Sequence, residues 1–351
     1  MAGEATKDKT GEKLLMEGSL SKRPNVPTTF DPRSWGGREY FNLLLIVGLA
    51  LVPAYSALTG NVFMVTLLTR ALIYAMAAVS LNLIMGYGGL VSFGHAVFIG
   101  IGGYAVGILA FHGNYNGLIQ FPVAILVSAF FAAIIGALSL RTRGVYFIMI
   151  TLAFAQMLYF AAVGLDYYGA DDGMTLSRRS HLGPFDLVER TQLYFVSLAL
   201  LLIAVWIIGR LVNSRFGMVL RGAKSNETRM LALGFPVYWY RLTAFVIAGA
   251  ICGLAGALMA NQAAFVSPAM MNWIQSGDLI VMAVLGGIHS LMGPVYGSIA
   301  FIVVEHELSA WLKDTWQLVF GPMIVVLALF ARNGLDDLFK LIGNGKSDGQ
   351  G

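Results

Sequence analysis

The sequence predicts an all-α integral membrane protein, a polytopic helical bundle of about ten transmembrane spans, and three observations predict it. Hydrophobic residues make up 57% of the 351 and charged ones only 12%, about half the charge content of a soluble domain. The mean hydropathy is +0.72. The apolar residues fall in runs that approach the ~20 residues a spanning helix needs. The 41 glycines suit helices in close contact. The same composition excludes other classes. The single cysteine, Cys252, lies inside an apolar run, so neither an intrachain disulfide nor a cysteine metal site can form. A net charge of +4 is no nucleic-acid signal; its distribution over the loops is what informs.

In chain order, residues 1–38 form a polar, mixed-charge tail without an apolar stretch and cleavage site, expected to be retained and flexible rather than a signal peptide. The membrane domain covers 39–332 and a second polar tail 333–351. Apolar runs place spans at 41–59, 64–85, 93–111, 119–140, 145–165, 191–212, 242–262, 274–288, 293–311 and 316–331. Ten spans put both termini on one side, and the basic residues test that count. With the N-terminus inside, eighteen Lys and Arg fall in inner segments and four (Arg178, Arg179, Arg190, Lys313) outside, with Arg70 within a span. Both termini and the segment 213–241 are therefore expected in the cytoplasm, and the loop 166–190 on the outer side.

The inner segment holds the longest polar island, Ser214 to Pro236. Arg215, Arg221, Lys224 and Arg229 outnumber its one acid, Glu227, while Val219, Leu220, Met230, Leu231 and Leu233 recur at helical spacing. Gly234 and Pro236 stop that helix. Two readings stand side by side: a docking element that receives mechanical work from an ATPase in another chain, or an ordinary positive-inside loop. In the outer loop, turn residues and mixed charges including Asp171, Asp172 and Arg178 suggest an ordered cap, either a contact for an external protein that delivers substrate or a plain surface loop.

Two glycine-rich segments share a pattern. Gly88, Gly89, Ser92, Gly94 and Gly100 match Gly286, Gly287, Ser290, Gly293 and Gly297, which hints at an internal repeat. Both fall near the inner face, which an inverted repeat would not give. Their polar side chains, Ser92, His95, His289 and Ser290, are the candidates for a translocation path through broken helices. Close helix packing through small residues accounts for most of the same glycines more simply.

Other chemistries find little support. Gly217 and Gly222 with Lys224 and Ser225 come within one residue of a phosphate-binding loop, but the motif needs Lys directly after the glycine on a strand-to-helix turn. An ion-driven carrier keeps ionisable groups deep in its spans; Asp278, Glu305 and Glu307 fall near outer span ends, His95 and His289 near inner ones, and only Arg70 is deeper. Five scattered histidines offer no metal-ligand spacing, and no catalytic set can be assembled.

Four stretches resemble the permease subunits of branched-chain amino acid ABC importers, of the LivM type. They are Leu81 to His95, Leu140 to Phe154, Ser214 to Gly234 with its Asn226 and Glu227, and Val284 to Gly297. Arg141, Arg143, Gly144 and Tyr146 point to the LivM type over its sister permease, and Asp171, Asp172 and Gly173 resemble a turn common in the family's outer loop. His289 departs from the glycine usual there, and the N-terminal tail is long; both bear on the substrate, for which urea, short amides and aromatic acids stand as alternatives.

The resemblance implies a permease subunit, not an enzyme, in a bacterial inner membrane. Its partners would be a homologous second permease, two ATPase subunits that bind ATP and magnesium, and a periplasmic substrate-binding protein; the chain itself would hold no cofactor. Coupling would run through Gly217, Arg221, Asn226, Glu227, Leu231 and Gly234, with Glu227 facing a basic group of the ATPase and Arg221 an acidic one. Asp171, Asp172 and Arg178 would meet the binding protein.

Overall fold

The structure, a computed structural model, describes residues 37–312 apart from 61, 184 and 289, together with 315 and 318–322. Most of the N-terminal tail, most of the expected span 316–331, the C-terminal tail and His289 lie outside the described residues. The described chain is helical almost throughout. Helix α1 covers Gly37–Thr59, α2 Val62–Asn82, α3 Ala96–Phe111, α4 Gly117–Ser139, α5 Val145–Val163 and α6 Arg190–Val212. Two short helices follow, α7 Arg215–Ser225 and α8 Glu227–Ala232, and then α9 Val237–Ala263, α10 Trp273–Gly286 and α11 Gly293–Leu312.

A helix therefore sits on each of the first nine expected spans. Among the described residues six of them (α1, α2 with its extension to Tyr87, α4, α5, α6 and α9) are long and apolar enough to cross a membrane. Helices α3 and α10 are apolar but shorter, about 24 and about 21 Å at 1.5 Å per residue, against a hydrocarbon core of about 30 Å. Each of the two runs into a glycine-rich non-helical segment at one end, which is why it stops early.

The connections gather at two ends. Residues 88–95, 140–144, 213–236 and 287–292 meet at one, where Arg141, Arg143, Arg221, Lys224, Arg229 and Arg241 make it the basic end. The other carries a cap built mostly from residues 164–189. Contacts between distant residues respect this division. At the basic end Tyr238 donates to the Ala137 carbonyl at 2.9 Å, and Asn82 Nδ2 to that of Ser290 at 3.0 Å. At the cap end Gln262 Nε2 donates to the Thr66 carbonyl at 3.1 Å.

The centre of the bundle is α2, α3 and α9, ringed by α4, α6, α10 and α11, with α1 and α5 at the edges. Glycine spacing explains the centre. Gly249, Gly253 and Gly256 lie along one side of α9, three and four residues apart, and let its backbone touch its neighbours. A Cβ at Gly256 would lie 1.9 Å from the Ile99 carbonyl oxygen of α3, and one at Gly253 2.0 Å from Ser128 Oγ of α4. Gly102 of α3 answers from the other side, 1.9 Å from the Gly253 carbonyl by the same measure. The α10–α11 hairpin closes in the same way through Gly286, Gly293 and Gly297.

The cap is pinned rather than slack. Strand β1 (Met174–Thr175) pairs antiparallel with β4 (Phe265–Val266), and β2 (His181–Leu182) with β3 (Phe185–Asp186). Ser180 Oγ donates to Gln120 Oε1 of α4, and its amide donates to Asn261 Oδ1 of α9 at 2.7 Å. Arg179 donates to the Gln262 carbonyl at 3.2 Å.

These contacts predict opposite signs for two Gly→Ala changes. Gly256→Ala forces a methyl into the Ile99 backbone and should destabilise the fold by about 1–3 kcal/mol. Gly277→Ala, with nothing within 4 Å of the new methyl, should gain up to about 1 kcal/mol of helix propensity. Thermal unfolding of the two purified variants in detergent distinguishes them; equal midpoints would show that α9 is not packed through Gly256.

Candidate functional site

At the basic end α2 does not finish as an ordinary helix. Its last turn widens into a π-helical turn over Leu83–Tyr87, and the chain then runs through residues 88–95 before α3 begins. The terminal carbonyls of a helix have no partner within it. The Gly86 carbonyl finds one in Lys224 Nζ of α7, at 2.7 Å. The Lys224 stem lies over Gly89, where a Cβ would come within 2.9 Å of its Cγ. Gly89 also takes a positive φ of 71°, which any other residue would resist. The lysine thus covers the break with its methylenes and meets it with its charge.

The second glycine-rich segment reaches the same point. A Cβ on Gly86 would lie 2.3 Å from the Ile288 carbonyl, and Asn82, one turn earlier in α2, bonds to Ser290. The two segments with the shared pattern are therefore neighbours at one end of the bundle, under α7.

Helix α7 starts at Ser214, whose side chain accepts from the Phe216 amide at 3.2 Å, a serine N-cap. Gly217, Val219, Leu220 and Ala223 are its buried face. Gly217 brings that face onto the end of α6, since a Cβ there would lie 2.1 Å from the Val212 carbonyl. The expected single helix from Gly217 to Gly234 is in fact two. Asn226 turns extended, with φ −156° and ψ 99°, and its side chain caps the next helix by accepting from the Arg229 amide at 2.9 Å. Asparagine breaks a helix here because its short amide bonds the backbone in non-helical conformations.

The break rephases the apolar residues. Val219 and Leu220 turn into the bundle, whereas Leu231 is 50% and Leu233 65% exposed, and Met218 and Phe235 are exposed as well. Gly234 has a φ of 85° and open space around it, a left-handed helix end.

The charges also differ from expectation. Glu227 does not wait for an outside base. It accepts from Arg143, between α4 and α5, at 3.0 Å and from Arg241 of α9 at 2.9 Å. Arg241 reaches on to the Ala223 carbonyl at 3.3 Å, so one carboxylate ties α8 to α9 and to the Arg143 turn. Arg221 bonds the Gly217 and Val212 carbonyls at 3.4 and 3.3 Å. Arg143 and Arg241 are thus residues that sequence reasoning did not single out for this element, and Lys224 was read only as one of its basic residues. Their partners lie 84, 14 and 138 positions away, and only the Arg241–Glu227 pair was within local reach.

The remaining candidates lie in two places. Ser92 and His95 are fully buried and Ser290 nearly so. The Ser92 hydroxyl accepts from the Gly94 amide at 3.4 Å, and one His95 ring nitrogen stands 2.9 Å from Ser80 Oγ. They lie inside the protein just beyond the α2 break. At the cap, Asp171 and Asp172 are exposed, and Arg178 stands 3.8 Å from Asp186 across the surface.

The burial of the pair members predicts which one matters. Glu227→Gln leaves Arg241, 14% exposed, without its carboxylate, and should loosen α8 by about 2–3 kcal/mol. Arg143→Gln removes a group that is 70% exposed, worth less than about 1 kcal/mol. Amide exchange over residues 226–233 should therefore quicken strongly in the first variant and only slightly in the second; the reverse order would refute the assignment of Arg241 as the main anchor.

The family model for the permease component of branched-chain amino acid transport systems matches residues 63–328. The chain is 26% identical over 317 residues to the high-affinity branched-chain amino acid transport system permease protein LivM of Salmonella typhimurium, covering 84% of this chain and 74% of that one. The LivM of Escherichia coli matches with the same identity and coverage. A probable branched-chain amino acid transport permease protein LivH of Methanocaldococcus jannaschii is 27% identical over 159 residues, 42% of this chain and 47% of that one. No solved structure matches significantly. The chain belongs to the branched-chain amino acid transport permease family.

Proposed function

We propose that this member of the permease family is one half of the membrane channel of an ATP-driven importer and moves branched-chain amino acids inward. The observation that carries the reading is the α7–α8 element. It is held to the bundle by Lys224 and Glu227, yet it turns Met218, Leu231, Leu233 and Phe235 outward at the basic end. Exposed apolar residues on a rigidly anchored short helix suit a docking surface. An ATPase subunit that closes on ATP would push that surface. The push would reach the α2 break through Lys224, and with it the junction of the two glycine-rich segments.

In this reading the assembly comprises a second, homologous permease, two ATPase subunits and a periplasmic binding protein. The membrane is the bacterial inner membrane, with about ten spans once 316–331 is counted. The excess of basic residues at the α7–α8 end supports a cytoplasmic position for it and for both termini. Asp171, Asp172 and Arg178 would then face the binding protein, and Ser92, His95, His289 and Ser290 would lie along the inner part of the path. Because the binding protein selects the substrate before delivery, the channel itself need not hold the substrate tightly. ATP and magnesium are held by the ATPases.

Two experiments test the reading. Leu231→Asp places a charge in the docking contact at a cost on the order of a few kcal/mol. The protein should reach the membrane at parental abundance yet lose the ATPase on purification or lose uptake. Gly234→Val, which strains the left-handed helix end, should act in the same direction more mildly. Full uptake by the Leu231→Asp protein would sink the coupling role. The second experiment concerns sidedness. Cys252 is fully buried, so single new cysteines can be labelled against a low background. In intact spheroplasts an impermeant thiol reagent should modify Thr175→Cys and spare Ser225→Cys, and excess liganded binding protein should slow the modification at Thr175. Labelling at Ser225 would reverse the orientation; unchanged labelling at Thr175 would detach the cap from the binding protein.

A further inference from the structure

Away from the α7–α8 element, the bundle holds a cavity of about 130 Å³ between α2, α3, α9 and α10, towards the cap. Ile99, Met259, Ala269 and Met270 form its apolar wall; Tyr74, Ser267 and Gln275 form its polar one. The Tyr74 hydroxyl donates to Gln275 Oε1 at 3.0 Å. The charges nearby are arranged around that pair. Arg70, one turn from Tyr74 on α2, holds its guanidinium 5.6 Å from the centre of the Tyr74 ring and 3.5 Å from Glu305 of α11. Asp278 lies one turn from Gln275 on the same side of α10. Its charged neighbours are Glu305 and Arg70, and among the described residues it has neither a hydrogen-bond nor an ion-pair partner.

Two carboxylates thus stand near one guanidinium, which lies over the Tyr74 ring that lines the cavity, and among the described residues the group is one cation short. The existing pair is loose. Arg70 is 41% exposed, and an ion pair so exposed holds weakly, so its fork can turn from Glu305 to a second anion. A zwitterion supplies both missing partners at once.

We propose that this cavity is a transit site for a zwitterionic amino acid with a small apolar side chain. Its ammonium group lies against Asp278 and Glu305, its carboxylate takes the Arg70 fork, and its side chain enters the space between Ile99, Met259 and Met270. Methionine walls adapt to differently branched chains, which suits a site that passes several aliphatic amino acids. Urea or a short amide brings no ammonium, and an aromatic acid without an amine leaves Asp278 unmet, so the charge pattern favours amino acids over both. The proposal rests on the importer reading and deepens it.

The test uses the whole transporter, this chain with its partner permease, ATPases and binding protein, in proteoliposomes. Leucine uptake and the stimulation of ATP hydrolysis by leucine-loaded binding protein are measured together at matched abundance. Asp278→Asn should cut uptake on the order of tenfold or more while hydrolysis is still stimulated, and Asp278→Glu should recover part of the uptake. Met270→Trp, which fills the cavity without touching a charge, should likewise block uptake and leave stimulation in place. Parental uptake by both Asp278→Asn and Met270→Trp overturns the transit site and leaves the importer reading standing. Joint loss of uptake and stimulation in both overturns it too, because it assigns these residues to the fold alone. A parental assembly that takes up no amino acid overturns the importer reading, and the transit site with it.

Discussion

A carbonyl that leaves its helix within a membrane protein must be met by some donor, since lipid offers none. At Gly86 the donor is Lys224. Much of the basic end follows from that bond. The π-helical turn of α2 can end where it does because the lysine reaches over Gly89. Helix α7 is held across the break because its lysine is committed there, and α8 follows on the Asn226 hinge with Glu227 fixed between Arg143 and Arg241. The element that faces outward and the break that faces inward share one hydrogen bond, which is the shortest structural route between them.

The two glycine-rich segments take their meaning from the same place. A repeat with both copies at one end does not fit an inverted arrangement, and the structure packs the second copy against the end of α2 that leads into the first, through Gly86 with Ile288 and Asn82 with Ser290. Glycine serves two purposes in them. Gly286, Gly293 and Gly297 bring backbones together, whereas Gly89 turns the chain where a side chain would be strained. Close packing and an interrupted helix are thus different positions within one motif, not rival accounts of it.

The helices were legible because each apolar run is long and its ends are marked by glycine, proline or charge. The regions α3 and α10 were legible as apolar but not as short, since their ends depend on the glycine segments beside them. The α7–α8 element was legible as polar, basic and helical. Its division at Asn226 was not, because the spacing of Val219, Leu220, Met230 and Leu231 fits one helix as well as two. Neither were the bonds of Lys224 and Arg143, whose partners are set by the fold across 138 and 84 positions. Glu227 illustrates the general difficulty: a lone acid in a basic stretch reads as exposed, and only three dimensions bring two arginines to it.

The backbone contact of α9 with α3 through Gly102, Gly253 and Gly256 has a mechanical consequence. Where carbonyl oxygens nest against α-carbons, two helices cannot slip lengthwise without each oxygen first riding over the neighbouring residue. Such a pair behaves as one strut, stiff in shear and free to tilt only as a unit. Any opening and closing of this protein must then be taken up elsewhere, at the loosely attached α1 and α5 or against another subunit, with the strut swinging as a single lever.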